Sequence, residues 1–578
     1  MIPGHLRVAV ASTVTSPPRR RDARRGVAAT LVVAGVLAAC GGKESPAVAG
    51  ETGGTMIVAS TLEPQTLFPP RAESSEEVAI VASVFDRLAD IGDDLSAVGD
   101  AGFTPRLASA WTWASDSLSI AFALDPRARW HDGTPVRAED VRFTFHAYTA
   151  DAVASEAKSL LGNIDSVSVR DSLTAVFWFK RRTPQQFLDA TYPMFILPSH
   201  LLSTLPDSAL VNDAFARQPV GTGRFRFSKW EPGTRLEIVS DTANARGRAK
   251  LDRVIWTFVS DFGAATVKLF AGEADFYEKI RPENLAQVTS APSLRLVTNR
   301  PLAYNFAGFN TRARRSAGPG APPHPIFGDV RVRRAFTMAM DRPRMVRTTL
   351  DTMGSVSLAP APRALIPDTA ALKPLPYDLA AARTLLDSAG WTDTNNDGVR
   401  ERNGQPLAFE LLVPSSSANL NKFSVLVQAA LKEIGATVTI QALDGAALGP
   451  RIDAHDFDAY LSGWQTNPGL QGLRQTWMSR GASNYQGYAS AIFDAEVDSA
   501  LTAFDPARTR AHFTRAFQQA IEDAPSVWLF ETRTPVALHR RINPAPLRAD
   551  GWYAHLADWT IDPAQRLDRD RIGLGAAR

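Results

Sequence analysis

One cysteine in 578 residues, Cys40, removes a whole class of architectures. With no second thiol the chain cannot be stapled by intramolecular disulfides, and no CxxC or Cys/His spacing offers a zinc site. A chain this long must hold itself together by burying apolar surface, and its 45% hydrophobic content is enough for substantial cores. At the usual domain size, that length divides into about two or three domains.

Cys40 closes an apolar run, Val27 to Ala39, which is too short to cross a hydrocarbon core of about 30 Å as a helix. Upstream lie Arg19, Arg20, Arg21, Arg24 and Arg25, so the start has the layout of a signal peptide. Leu37-Ala38-Ala39-Cys40-Gly41 resembles the lipobox of bacterial lipoproteins, which implies cleavage before Cys40 and acylation of its thiol. Residues 1–39 then form a lipoprotein signal peptide, and 40–54, with the polar glycine-rich GGKESPAVAGETGG, a lipid anchor and flexible tether. The paired arginines also admit a twin-arginine signal.

Residues 1–39 carry a net charge of +5, so the whole-chain +3 leaves about −2 for the remainder. That argues against a nucleic-acid binder, which needs concentrated basic charge to displace counterions from phosphates. Arg331, Arg333 and Arg334 form the densest remaining cluster, and their spacing puts them on the solvated face of an amphipathic helix.

From Thr55 onward short strands alternate with amphipathic helices, an α/β pattern without a fixed-period repeat. TMIVAST, 55–61, reads as a strand, and EEVAIVASVFDRLAD, 76–90, as a helix with Val78, Val81, Ala82, Phe85 and Leu88 on one stripe. Leu118, Ile120, Phe122 and Leu124 alternate as a half-buried strand, and Asp132-Gly133 supplies turn chemistry. Glu139 and Asp140 sit where a helix start favours negative charge, a more economical reading than an acid/base dyad. Two further helices read from Val332 to Met340 and from the Asp378 cap to the Gly390 stop.

Motifs for chemistry are sparse. Asp393, Asn395, Asp397 and Gly398 open like an EF-hand loop, but the twelfth position is Gly404 rather than a bidentate acid, so a turn is expected and no metal. Ser155 and Lys158 make an SxxK whose Lys-Thr-Gly partner is absent, and the chain has no GxSxG, HExxH or P-loop. Gly221-Thr222-Gly223 lacks the third glycine of a dinucleotide fingerprint, and the nine histidines show no close metal-ligand pair. No catalytic residue and no cofactor are expected.

An ordered series of segments carries more information: TLEPQTLFP, FTPRLASAWTWASDSLSIAFAL, RWHDGTPVRAEDVRFTF, PVGTGRFRFSKWEPG, FAGEADFYEKIRPENL, DVRVRRAFTMAMDR, AARTLLDSAGWTDTNNDGVRERNGQPLAFELLV and DFDAYLSGWQTNPG. Spread over roughly 55–560, the series resembles family 5 of the bacterial extracellular solute-binding proteins, the peptide and nickel binders that serve ABC importers. One departure is Arg137, where the family more usually has a small polar helix cap.

The resemblance implies an α/β periplasmic-binding-protein type II fold: two lobes joined by a hinge, with an extra subdomain inserted in the first. The first lobe is then 55–305, with the insert at about 86–218. The second is 306–529, and 530–578 returns to the first. Hinge crossings fall near Tyr304-Asn305-Phe306 and Leu529-Phe530-Glu531. The implied function is a monomeric, lipid-anchored envelope protein that takes up peptides or similar polar solutes between closing lobes and hands them to a membrane permease. A saccharide- or other solute-binding protein of the same fold, an envelope peptide-binding or sensing lipoprotein, and a surface hydrolase are the alternatives.

In peptide binders of the family the segment after Gly-Trp carries an aspartate that pairs with the ligand's amino terminus. Here Gly463-Trp464 is followed by Gln465, Thr466 and Asn467 with no carboxylate before Pro468. Trp464 can offer a flat apolar face and Gln465 and Asn467 neutral hydrogen bonds, or Trp464 can close a core beside a turn. Tyr304, Asn305, Trp477, Asn484 and Tyr485 are lesser candidates, placed near the cleft by the same analogy.

Overall fold

The computed structural model describes residues 52–212, 214–318 and 320–570, so Cys40, the signal segment and most of the tether lie outside the described residues. Thr55–Ser60 is almost wholly buried, as a strand covered on both faces must be, and it runs parallel to Arg253–Phe258 and Phe276–Tyr277 at the centre of a seven-stranded sheet. Arg235–Ser240 and Phe225–Glu231 extend that sheet on one side, Thr534–His539 and Leu294–Asn299 on the other.

The C-terminal segment is locked to this sheet by a buried charge cluster. The Arg541 guanidinium, 2% exposed, donates to Asp275 Oδ1 at 2.7 Å, to Asp570 Oδ2 at 2.8 Å and to the Thr55 carbonyl at 2.6 Å. Asp570 in turn accepts the Thr55 amide at 2.9 Å, so residues 486 and 515 positions apart share one set of satisfied charges.

A second sheet of six strands runs Gly354–Ser355, Ser526–Thr532, Ala303–Phe309, Ala459–Gln465, Ala408–Pro414, Thr437–Leu443. Its parallel pair Ala408–Pro414 and Thr437–Leu443 is linked by helix Ala418–Lys432, which starts on the Ser417 side chain and buries Leu420, Phe423, Val427 and Leu431. The chain crosses from the first sheet to the second at residues 300–302 and returns at Arg533, just before Tyr304–Phe306 and just after Leu529–Glu531.

A four-stranded antiparallel sheet, Ala108–Trp113, Ser119–Leu124, Thr174–Phe179, Ile164–Asp171, lies between the first and later strands of the seven-stranded sheet in sequence. Helix Ala138–Thr149 packs against it. Arg137 supplies no side-chain cap; instead Asp140, 2% exposed, accepts its amide together with the Trp130 indole and the Ser199 amide and hydroxyl. Asp140 is thus a buried structural hub as well as a helix start.

Two expectations need correction. The helix read over 76–90 is Ser75–Val84: the Val84 carbonyl accepts the Gly223 amide at 2.8 Å, which ends the helical ladder, and Leu88 precedes a strand, Ala89–Ile91. A Cβ on Gly221 would sit 1.9 Å from the Val84 carbonyl oxygen, so Gly221-Thr222-Gly223 is the bare backbone that this crossing requires. Arg333 does not belong to a solvated face: it is 7% exposed and donates to the Asp523 and Phe327 carbonyls, while burial pulls its pKa down to about 10.

Candidate ligand-binding site

Three strands at the middle of the second sheet set the site. Ala303–Phe309 pairs antiparallel with Ala459–Gln465 and with Ser526–Thr532, placing Tyr304 opposite Trp464 and Asn305 opposite Gly463. Ala459, Tyr460 and Leu461 are buried, but from Ser462 the strand emerges, with Gly463 and Gln465 exposed and Trp464 half-buried. Asn305 donates to the Phe530 carbonyl at 3.3 Å, and its Oδ1 lies 2.7 Å from where a Cβ on Gly463 would stand, so a side chain there would have to displace Asn305.

The candidate residues separate by environment. Trp477 is fully buried and donates to the equally buried Tyr304 hydroxyl at 2.8 Å, with Phe306 and Trp528 edge-on to its ring. Asn484, 5% exposed, donates to the Met478 and Tyr488 carbonyls and accepts the Tyr488 amide, which holds the loop that carries Tyr485. Tyr304, Trp477 and Asn484 are therefore committed to interior packing. Tyr485 is half-buried and lies parallel to Trp464, 10° between planes and 6.3 Å between centroids, so these two rings form an accessible aromatic ledge.

Beyond Gln465 the chain leaves the sheet. The Thr466 amide donates to Leu302, and Asn467 Oδ1 accepts the Gly469 amide at 3.1 Å, which commits that side-chain oxygen to the turn. The turn ends against Gln186–Thr191, a short helix that follows the four-stranded sheet. Gln185 Nε2 donates to the Gly469 carbonyl at 2.5 Å, a Cβ on Gly469 would stand 3.0 Å from Leu188, and Gln471 Nε2 donates to Asp189 Oδ1 at 3.2 Å. Asp189 is 5% exposed, and burial pushes its carboxyl pKa up to about 7. Gln185, Asp189 and Gln471 were not found in the sequence, because no local pattern announces partners more than 280 positions apart.

Beside this bridge is a cavity of about 370 Å³, within the range of small-ligand sites. Residues 94–98 form one wall; residues 364–367, 468–470 and the start of helix Pro506–Asp523 form the other. A larger hollow of about 620 Å³ at Glu63, Arg217 and Trp230, where the Arg217 guanidinium covers the indole at 4.1 Å, is walled only by elements next to the first sheet.

Sites suggested by motif have other roles. Lys158 pairs with Asp151 rather than with Ser155. Asp393, Asp397 and Glu401 bring carboxylate oxygens within 4.8 Å of one another, with Glu401 rather than position 404 completing the group. These acids accept turn hydrogen bonds from Gly398, Val399 and Thr394.

Comparison with known proteins agrees with this architecture. The oligopeptide-binding protein AppA of Bacillus subtilis (strain 168) is 26% identical over 534 residues, covering 90% of this chain and 95% of that one. Its structure in complex with a nonapeptide superposes with a TM-score of 0.67 over 89% of this chain and 99% of AppA, at 24% identity. NikZ of Campylobacter jejuni, solved with Ni(L-His), gives 0.67 over 88% and 99%, at 22% identity. The fold is the two-lobed α/β arrangement of these binding proteins. The model for bacterial extracellular solute-binding proteins, family 5, matches residues 102–486, two thirds of the length, and the chain belongs to that family.

Proposed function

We propose that this solute-binding protein captures a short peptide, or a polar solute of similar size, between its two sheets and delivers it to the permease of an ABC importer. The observation that carries the reading is the bridge from Gly463 to Gln471: it leaves the second sheet, reaches helix Gln186–Thr191, and runs beside a cavity walled from both sides. The crossings at residues 300–302 and Arg533 are the natural hinge, and a ligand touching both walls favours the closed form in proportion to its differential affinity. The peptide in AppA supports the same class of solute.

Gln465, Thr466 and Asn467 offer no charge to a peptide amine, so recognition rests on main-chain hydrogen bonds and on the Trp464–Tyr485 ledge. That ledge also favours a second reading, a saccharide stacked on Trp464. Neither requires chemistry on the ligand, a metal or a cofactor. The protein works as a monomer held at the envelope by acylated Cys40; among the described residues no helix is long and apolar enough to cross a membrane.

The test is a thermal-shift titration with mixed short peptides, N-acetylated peptides and oligosaccharides. A ligand at a hundred times its Kd adds about 2.7 kcal/mol to apparent stability. A shift with free and acetylated peptides alike is expected; a shift with oligosaccharides alone moves the assignment to saccharide uptake.

A further inference from the structure

We propose that the cavity between residues 94–98 and 364–367 is a pocket for one large apolar side chain, making this protein selective for peptides that carry leucine- or phenylalanine-like residues. The inference rests on the peptide reading above and specifies its ligand. Leu95 and Val98 face the cavity from one wall, and Leu365, Ile366, Leu470 and Phe513 from the other. Its charged wall residues, Asp94 and Arg510, are both exposed. A charged ligand side chain drawn into such walls loses hydration without gaining a buried partner. An apolar one removes surface on both walls from water in a single step.

The position of the walls adds a coupling. Leu95 and Val98 follow strand Ala89–Ile91 in the segment between the strands of the seven-stranded sheet, whereas Leu365, Ile366, Leu470 and Phe513 lie between the two chain crossings. An apolar side chain gripped by both is bound better when the walls are together, so it contributes to closure as well as to affinity. At about 370 Å³ the space exceeds one leucine or phenylalanine side chain and leaves room for adjoining backbone.

Binding to the full chain is measured calorimetrically with tri-alanine and with tripeptides carrying Leu, Phe, Lys or Glu at each position in turn. At one position Leu and Phe are expected to bind at least about tenfold more tightly than Ala, with Lys and Glu no tighter than Ala. Ala364 lines the cavity from an exposed turn, so Ala364→Trp fills the space without disturbing the core and should bring the Leu-to-Ala ratio close to one. Ala364→Glu should shift the preference toward Lys. Equal binding across the series, or a Leu preference that survives Ala364→Trp, overturns the pocket while leaving peptide capture intact. No binding by any peptide, tri-alanine included, overturns the underlying reading and the pocket with it.

Discussion

Gln185 donates a 2.5 Å hydrogen bond to the carbonyl of Gly469, 284 positions away, and joins the segment before helix Gln186–Thr191 to the turn that leaves the second sheet. On the proposed reading the bond crosses the junction that closes on the ligand, so its loss acts on the closed form. Gln185→Ala should weaken ligand affinity several-fold, through a faster off-rate with an on-rate little changed. Stopped-flow binding checks this; an unchanged off-rate would show that the bond does not hold the ligand-bound form.

Trp464, on a strand of the second sheet, and Trp477, twelve positions beyond that strand, have opposite roles. Trp477→Ala removes a fully buried ring and the donor to Tyr304, and should cost about 3–5 kcal/mol of stability. Trp464→Ala removes only the outer ring of the ledge with Tyr485, and should reduce ligand affinity with a much smaller loss of stability. Parallel denaturant melts and titrations separate the two; an equal loss of stability would place Trp464 in the core.

Asp189 and Glu531 are buried carboxyls whose pKa values are each pushed up to about 7 by desolvation. The native state therefore holds protons that the unfolded chain has released above its ordinary carboxylate range. Each group's contribution is fully present below about pH 4 and is lost as pH rises to about 7. Asp189→Asn keeps an oxygen for Gln471 and removes the cost of ionisation. The variant should melt higher than the parent at pH 8 and close to it at pH 4. A constant difference at both pH values would argue against proton linkage at Asp189.

The charge cluster around Arg541 makes a different demand. Arg541→Ala leaves buried Asp570 without its cation and Asp275 with Arg569 alone, and should cost about 3–5 kcal/mol. Because Asp570 also holds the Thr55 amide, limited proteolysis should release the C-terminal segment first. Release beginning elsewhere would show that the cluster is not what fastens it.

Cys40→Ser should abolish acyl labelling and move the protein from the membrane to the soluble fraction of a producing bacterium, with ligand binding intact. Continued membrane attachment without the thiol would refute the lipid anchor.

The strand Thr55–Ser60, the helix with the Asp378 cap and the ordered series of segments were legible because they depend on contacts a few positions apart: side-chain period, a cap, a stop. Family membership was legible for the same reason. Gly463-Trp464 could be singled out, but whether Trp464 or Trp477 met solvent could not, since both are large apolar rings and only the packing around each distinguishes them. Arg333 shows the same limit: its spacing suits a solvated helix face, yet Asp523 brings it a buried carbonyl from 190 positions away. Sequence by itself determined the fold class, the signal-like start and the absence of an acid after Trp464. Tertiary structure alone decided that Gln185, Asp189, Gly469 and Gln471 meet, and that a cavity opens beside them, because such contacts arise only when chain segments hundreds of residues apart are packed against each other.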